Sequence, residues 1–105
     1  MARSAYLVCY DIADDRRRTS VYEVCRGYGE RVQYRVFRCH IDRSELLVMQ
    51  AALRTKIHHD EDQILFVDLG PVEGRGRRCV SALGRRYEPP DDGPRDPMRQ
   101  LASGP

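Results

Sequence analysis

Apolar and polar side chains alternate through "SAYLVCYD", residues 4 to 11, with Tyr, Leu and Val prominent. This pattern predicts a buried or half-buried strand whose last residue is Asp11. Asp14 and Asp15 follow where acids cap or complement the start of a helix. Val21, Val24, Cys25 and Tyr28 recur at i, i+3, i+4 and i+7, so an amphipathic helix of about three turns is expected to run until Gly29 stops it. In "RVQYRVFRCHI" the alternation changes phase: Val32, Tyr34 and Val36 share one face, whereas Phe37, Cys39 and Ile41 share the other. A period of two cannot slip by one without a bulge or a chain reversal, so two short strands or one bulged strand are expected near residues 34 to 37. Asp42 and Glu45 then have capping-box spacing, and Leu46, Met49, Leu53 and Ile57 line one side of a second helix that ends in "HHDED". "ILFVDL", residues 64 to 69, is a continuous apolar run that reads as a central strand. "GPVEGRGRR" is a glycine-rich loop, and "CVSALG" a weaker last strand.

That order is the ferredoxin-like plan: an α+β, βαββαβ sandwich with an antiparallel sheet, both helices on one face, and an additional C-terminal strand. The 105 residues fit one domain with a modest core, for which dimerisation is a natural way to bury more surface. The domain is expected over residues 1–87. Residues 88–105 crowd prolines into a stretch with no apolar period, which predicts a disordered tail. No segment reaches the roughly 18 apolar residues of a membrane span, and the N-terminus reads as a first strand rather than a signal peptide. A membrane partner is therefore not expected, and the expected compartment is the cytoplasm.

Cys9, Cys25, Cys39 and Cys79 form no C-x-x-C pair and lie in apolar segments, so they read as reduced core thiols. Cys39, His40, His58 and His59 match no common zinc spacing. His40, His58 and His59 read as surface residues. Net charge is +2, and of the eighteen basic residues only Lys56 is a lysine. Arginine suits bidentate phosphate contacts, although a GC-rich coding genome produces the same bias.

Cleavage of a phosphodiester with metal assistance needs hard oxygen ligands for a divalent ion. Asp11, held at a strand end, is the candidate ligand and catalytic residue, for Mg2+ or another divalent cation such as Mn2+. One aspartate per chain makes a weak site, which a two-fold dimer would strengthen by bringing two copies of Asp11 together. Arg16, Arg17 and Arg18 open the first helix against its dipole. Either phosphate groups or Asp14 and Asp15 offset that cost. Arg31, Arg35 and Arg38 around the strand break, with Arg75, Arg77 and Arg78 in the glycine loop, extend a candidate nucleic-acid-binding footprint. Aromatic residues are few, and Tyr6, Tyr10, Tyr34 and Phe37 read as core or interface rather than stacking platforms.

"YLVCYDIADDRRR", "YGERVQYRVF" and "C-H-I-D-x-S-E-L" together resemble the CRISPR-associated protein two family, the small partner of the integrase that acquires new spacers. The resemblance covers residues 5 to about 69 and, loosely, the chain through Gly84. It implies a ferredoxin-like homodimer whose C-terminal strand completes the partner's sheet. It also implies a magnesium-dependent endonuclease of antiviral defence whose strand-end aspartate corresponds to Asp11. Arg18, Arg31 and Phe37 fall on family positions at the site or around it, and Tyr10 adjoins Asp11. The implied partners are RNA or double-stranded DNA and the CRISPR integrase. Ser20, where another basic residue often stands, the "GPVEGRGRR" loop and the Pro-rich tail depart from the family pattern. Three readings remain: the nuclease, a non-catalytic dimeric scaffold that bridges integrase dimers along duplex DNA, and a toxin-type ribonuclease of related fold.

Overall fold

The computed structural model describes residues 2–85, with backbone alone at positions 77 and 78; the tail expected over 88–105 lies outside the described residues. The elements are β1 (Ser4–Asp11), α1 (Asp15–Arg26), β2 (Gly29–Gln33), β3 (Val36–Ile41), α2 (Arg43–Arg54), β4 (Gln63–Pro71) and a single turn, α3 (Arg75–Arg78). The strands form one antiparallel sheet in the order β2-β3-β1-β4, the ferredoxin-like arrangement. Among the described residues, no helix is long and apolar enough to cross a membrane.

Strand alternation decides what each face does. Val8 stands opposite Phe37 on one side and Phe66 on the other, and Tyr10 opposite Ile64, so these side chains share a face. On it Val8, Tyr10, Phe37, Cys39 and Ile41 pack with Val21, Tyr22 and Cys25 of α1 and Leu46, Met49 and Leu53 of α2 in one core. Tyr10 and Tyr22 flank Phe37, with ring centroids at 6.4 and 5.6 Å. The opposite face carries Leu7, Cys9 and Asp11 on β1 with Leu65 and Val67 on β4, and the last two are 51% and 43% exposed.

The phase change near residue 35 is a chain reversal. Tyr34 and Arg35 connect β2 to β3, Arg35 takes φ 68°, and the Tyr10 N–H donates to the Arg35 carbonyl at 3.2 Å. Asp14 caps α1 by accepting the Arg17 N–H at 2.9 Å, and Asp42 and Glu45 complete a reciprocal capping box on α2. The end of α1 differs from expectation. It stops at Arg26 with Gly27 as cap, whereas Gly29 is buried in β2, where a Cβ would fall 2.6 Å from Cys39 Sγ and against the Arg38 carbonyl.

Two further expectations are corrected. β4 is an edge strand, not a central one; a run apolar on both faces shows only that both faces are apolar, not that both are covered within one chain. No strand forms over "CVSALG" among the described residues. Just before it, in the segment expected to be a glycine-rich loop, the chain makes α3, folded so tightly that a Cβ on Gly76 would lie 2.8 Å from the Pro71 carbonyl and 3.1 Å from Ala5 Cβ. Arg38, expected in the basic footprint, is instead buried to 2% exposure, where it donates to the Gly76 carbonyl and fixes the exit of the chain. Val80 to Leu83 then line a cavity of about 540 Å³ together with Leu7, Val32 and Val36 and take no part in the ladder.

Candidate functional site

Asp11 ends the inner strand β1 with its side chain exposed on the face opposite α1 and α2, across from Gln63 in the ladder. Its carboxylate has no hydrogen-bond or ion-pair partner among the described residues. The neighbouring acids are all engaged. Asp14 caps α1, Asp15 pairs with Arg18, and Asp62, at 1% side-chain exposure, is held by Arg17.

The arginines expected to form one footprint divide into separate groups. Arg17 grips Asp62 in a fork, Nε to Oδ2 at 2.7 Å and Nη2 to Oδ1 at 3.2 Å, while Asp62 Oδ2 also accepts the His58 N–H at 2.8 Å. The Arg17 hydrogen bond holds the Asp62 carboxyl below the ordinary range, outweighing the opposing effect of desolvation. Arg17 thereby pins α1 to the α2–β4 loop. Arg18 closes the loop behind Asp11: its Nη1 donates to the Ile12 carbonyl at 3.1 Å and the Ala13 carbonyl at 3.0 Å, and its Nη2 meets Asp15. Of the three arginines opening α1, Arg16 is the exposed one.

Arg31 and Arg35 belong to a third group on the helix side of the sheet. The Arg31 guanidinium lies 5.7 Å from the Tyr22 ring centroid and that of Arg35 4.9 Å from Tyr34. With Tyr10, Arg18 and Thr19 they line a pocket of about 240 Å³. Burial pushes the Tyr10 phenol up to about 12, assisted by Cys25 and opposed by Arg31 and Arg35. Phe37 is buried, and it supports this pocket by packing against Tyr10 and Tyr22.

Arg75 and the backbone of residues 77 and 78 lie at the other end of β1, where Gly76 packs on Ala5 and Ser4 pairs with Pro71. The seven residue steps from Ser4 to Asp11 separate the two ends by roughly 23 Å. His40 is half-buried: its Nε2 accepts from Arg38 Nε at 3.2 Å. Cys25 and Cys39 are buried as expected, whereas Cys79 is exposed.

A metal has limited purchase within one chain. Among the described residues no three His, Cys, Asp or Glu side chains converge to hold an ion, and Asp11 offers a single carboxylate. That fits one protein ligand of magnesium, which takes one or two carboxylates and completes its shell with water and phosphate oxygens. Sequence reasoning did not assign Tyr34 or Asp62 to a site. The phase change left a bulge or a reversal open near residues 34 to 37 and Tyr34 was expected in core or interface, whereas it stands exposed at the β2–β3 turn; Asp62 had no local signal because its partner lies 45 positions earlier.

A family model described as CRISPR associated protein Cas2 matches residues 4–73. The CRISPR-associated endoribonuclease Cas2 1 of Rhodospirillum rubrum is 39% identical over 87 residues, covering 83% of this chain and 84% of that one. The CRISPR-associated endoribonuclease Cas2 3 of Chloroflexus aurantiacus is 47% identical over 78 residues, covering 74% and 83%. Among solved structures, Streptococcus pyogenes Cas2 is similar with a TM-score of 0.67 and 32% identity, over 76% of this chain and 99% of that one. A hypothetical protein from Thermus thermophilus is similar with a TM-score of 0.69 and 32% identity, over 85% and 99%.

Proposed function

The chain belongs to the CRISPR-associated protein Cas2 family, and on that premise we propose that it is a nuclease of spacer acquisition whose working unit is a homodimer. Relatives bearing the name endoribonuclease or endonuclease support phosphodiester cleavage as the chemistry. The observation that carries the assignment to a residue is the isolation of Asp11: a carboxylate on a rigid strand end, braced behind by Arg18, while every neighbouring acid is committed elsewhere. Asp11 would hold magnesium or manganese as one carboxylate ligand. An isologous dimer through the face opposite α1 and α2 would supply the second, because Asp11 shares that face with Leu7, Leu65 and Val67. The bound ion supplies charge neutralisation at the phosphate and a more acidic water. Asp11 positions it, and Arg18 keeps the Asp11 loop from moving.

The distribution of arginines supports a second role. Cationic positions at both ends of β1 suit a surface that follows a duplex backbone, as a scaffold bridging the CRISPR integrase on incoming DNA would require.

Cleavage of matched RNA and duplex DNA by wild type and Asp11→Ala, with magnesium and with chelator, tests the first reading. Asp11→Ala is expected to lose about 100-fold or more, the scale of removing a principal charge-stabilising group, and chelator is expected to do the same to wild type. Equal cleavage by both proteins would refute the assignment. Duplex binding by Asp11→Ala that matches wild type would leave the scaffold standing alone.

A further inference from the structure

The hairpin tip carries more chemistry than a turn needs. Tyr34 is 71% exposed, and Arg35 stacks its guanidinium on that ring while occupying the left-handed region, which costs a non-glycine residue energy. The Tyr10 N–H bonded to the Arg35 carbonyl holds the backbone there. Arg35 Nε is shielded from solvent and has no hydrogen-bond partner. The pocket beneath brings together Arg18, Arg31 and Arg35 with Tyr10, Tyr22 and Tyr34, and no carboxylate lines it.

A cationic cavity with an unanswered N–H donor calls for an anion, and an exposed ring at its rim offers a flat apolar face. Phosphate and a base face occur together in one nucleotide. Inside a duplex each base face is covered by its stacked neighbours, and a terminal pair offers only its outer face in a bulky paired unit, so an unpaired nucleotide is the form that can bring both base face and phosphate into the pocket beside Tyr34. The volume, about 240 Å³, lies just below the range of small-ligand sites, room for part of one nucleotide and too little for a groove that holds a helix. Resting on the nucleic-acid reading above, we infer that this pocket receives a single unpaired nucleotide, its phosphate toward Arg31 and Arg35 and its base on Tyr34. Tyr10 lines the pocket and Asp11 is the next residue, on the other face of β1. A strand leaving the pocket around the end of β1 therefore meets the candidate catalytic carboxylate, and the pocket selects strands that are single or frayed.

Fluorescence anisotropy with three probes of one sequence, single-stranded DNA, single-stranded RNA and blunt duplex DNA, tests this on the full chain. Tyr34→Ala removes an exposed ring and is expected to weaken at least one single-stranded probe by roughly 5- to 100-fold, the scale of one lost stacking contact, with duplex affinity unchanged. Tyr34→Phe keeps the ring and should retain affinity. Arg35→Gln should weaken the same probe and reduce its salt dependence by about one ion. If Tyr34→Ala weakens all three probes equally, or none, the pocket does not read unpaired nucleotides. If wild type binds no probe, this inference falls together with the nucleic-acid reading, whereas intact duplex binding with no effect of Tyr34 overturns the pocket alone.

Discussion

Tyr10 and Cys25 show how the core beneath the pocket constrains its chemistry. Burial pushes both the Tyr10 phenol and the Cys25 thiol up to about 12, from ordinary values of 10.0 and 9.0. In the unfolded chain these groups ionise first, so the stability they contribute is complete below about pH 9 and is lost as pH rises toward the folded values. Urea unfolding between pH 8 and 11.5 should therefore show a steepening loss, of up to about 1.4 kcal/mol per pH unit for each group. Tyr10→Phe should remove its share of that slope; a slope unchanged in the variant would mean the phenol ionises in the fold as it does in water. The legibility of single residues follows the distance to their partners. Asp11 was readable because strand alternation alone sets where a strand ends, and Asp14 because a cap acts within one turn. Arg17 was not. Its position before two turns of helix suggested phosphate, yet its fork closes on Asp62, which local spacing cannot reveal.

Elements were legible wherever periodicity and capping act locally. The capping box of α2 forms from the two residues whose spacing announced it, and the slipped phase in "RVQYRVFRCHI" is the hairpin between β2 and β3. What failed required knowing which surface meets which. Gly29 looked like a helix stop, but it sits in β2, where β3 passes too close for any side chain. Gly29→Ala should thus cost about 1–3 kcal/mol by overpacking, since two of the three atoms it would meet are the Arg38 backbone carbonyl carbon and oxygen. Gly27→Ala meets only the Val24 carbonyl, at 3.3 Å and with negative φ, and should cost less. A shift of the urea midpoint at constant m-value checks both, and equal effects would return the helix stop to Gly29. The expected last strand is one that the family resemblance pairs with a partner's sheet; within one chain, the tight fold at Gly76 with Arg38 on its carbonyl leads residues 80–83 alongside Leu7 and Val36 without joining the ladder.

At the scale of the molecule, the sheet face opposite α1 and α2 decides between a complete site and half of one. Leu65 and Val67 protrude from edge strand β4, α3 covers Ala5 at the far end, and Asp11 stands at the open end. A domain of this size gains little by leaving β-branched and leucine side chains in water on the face that also holds its candidate catalytic acid. Pairing two such faces about a two-fold axis would bury them and bring the aspartates toward each other. Leu65→Lys and Val67→Lys test this because a lysine on an exposed edge-strand position costs a single chain only about 0.5 kcal/mol or less. In a paired face it would bury an uncompensated charge. Sedimentation equilibrium should show wild type as a dimer and Val67→Lys as a folded monomer. The same preparation should lose metal-dependent cleavage although Asp11 is intact. A variant that remains dimeric would place the interface on another surface. A monomer that cleaves as wild type does would show that one Asp11 is sufficient, and would remove the reason for joining dimerisation to catalysis.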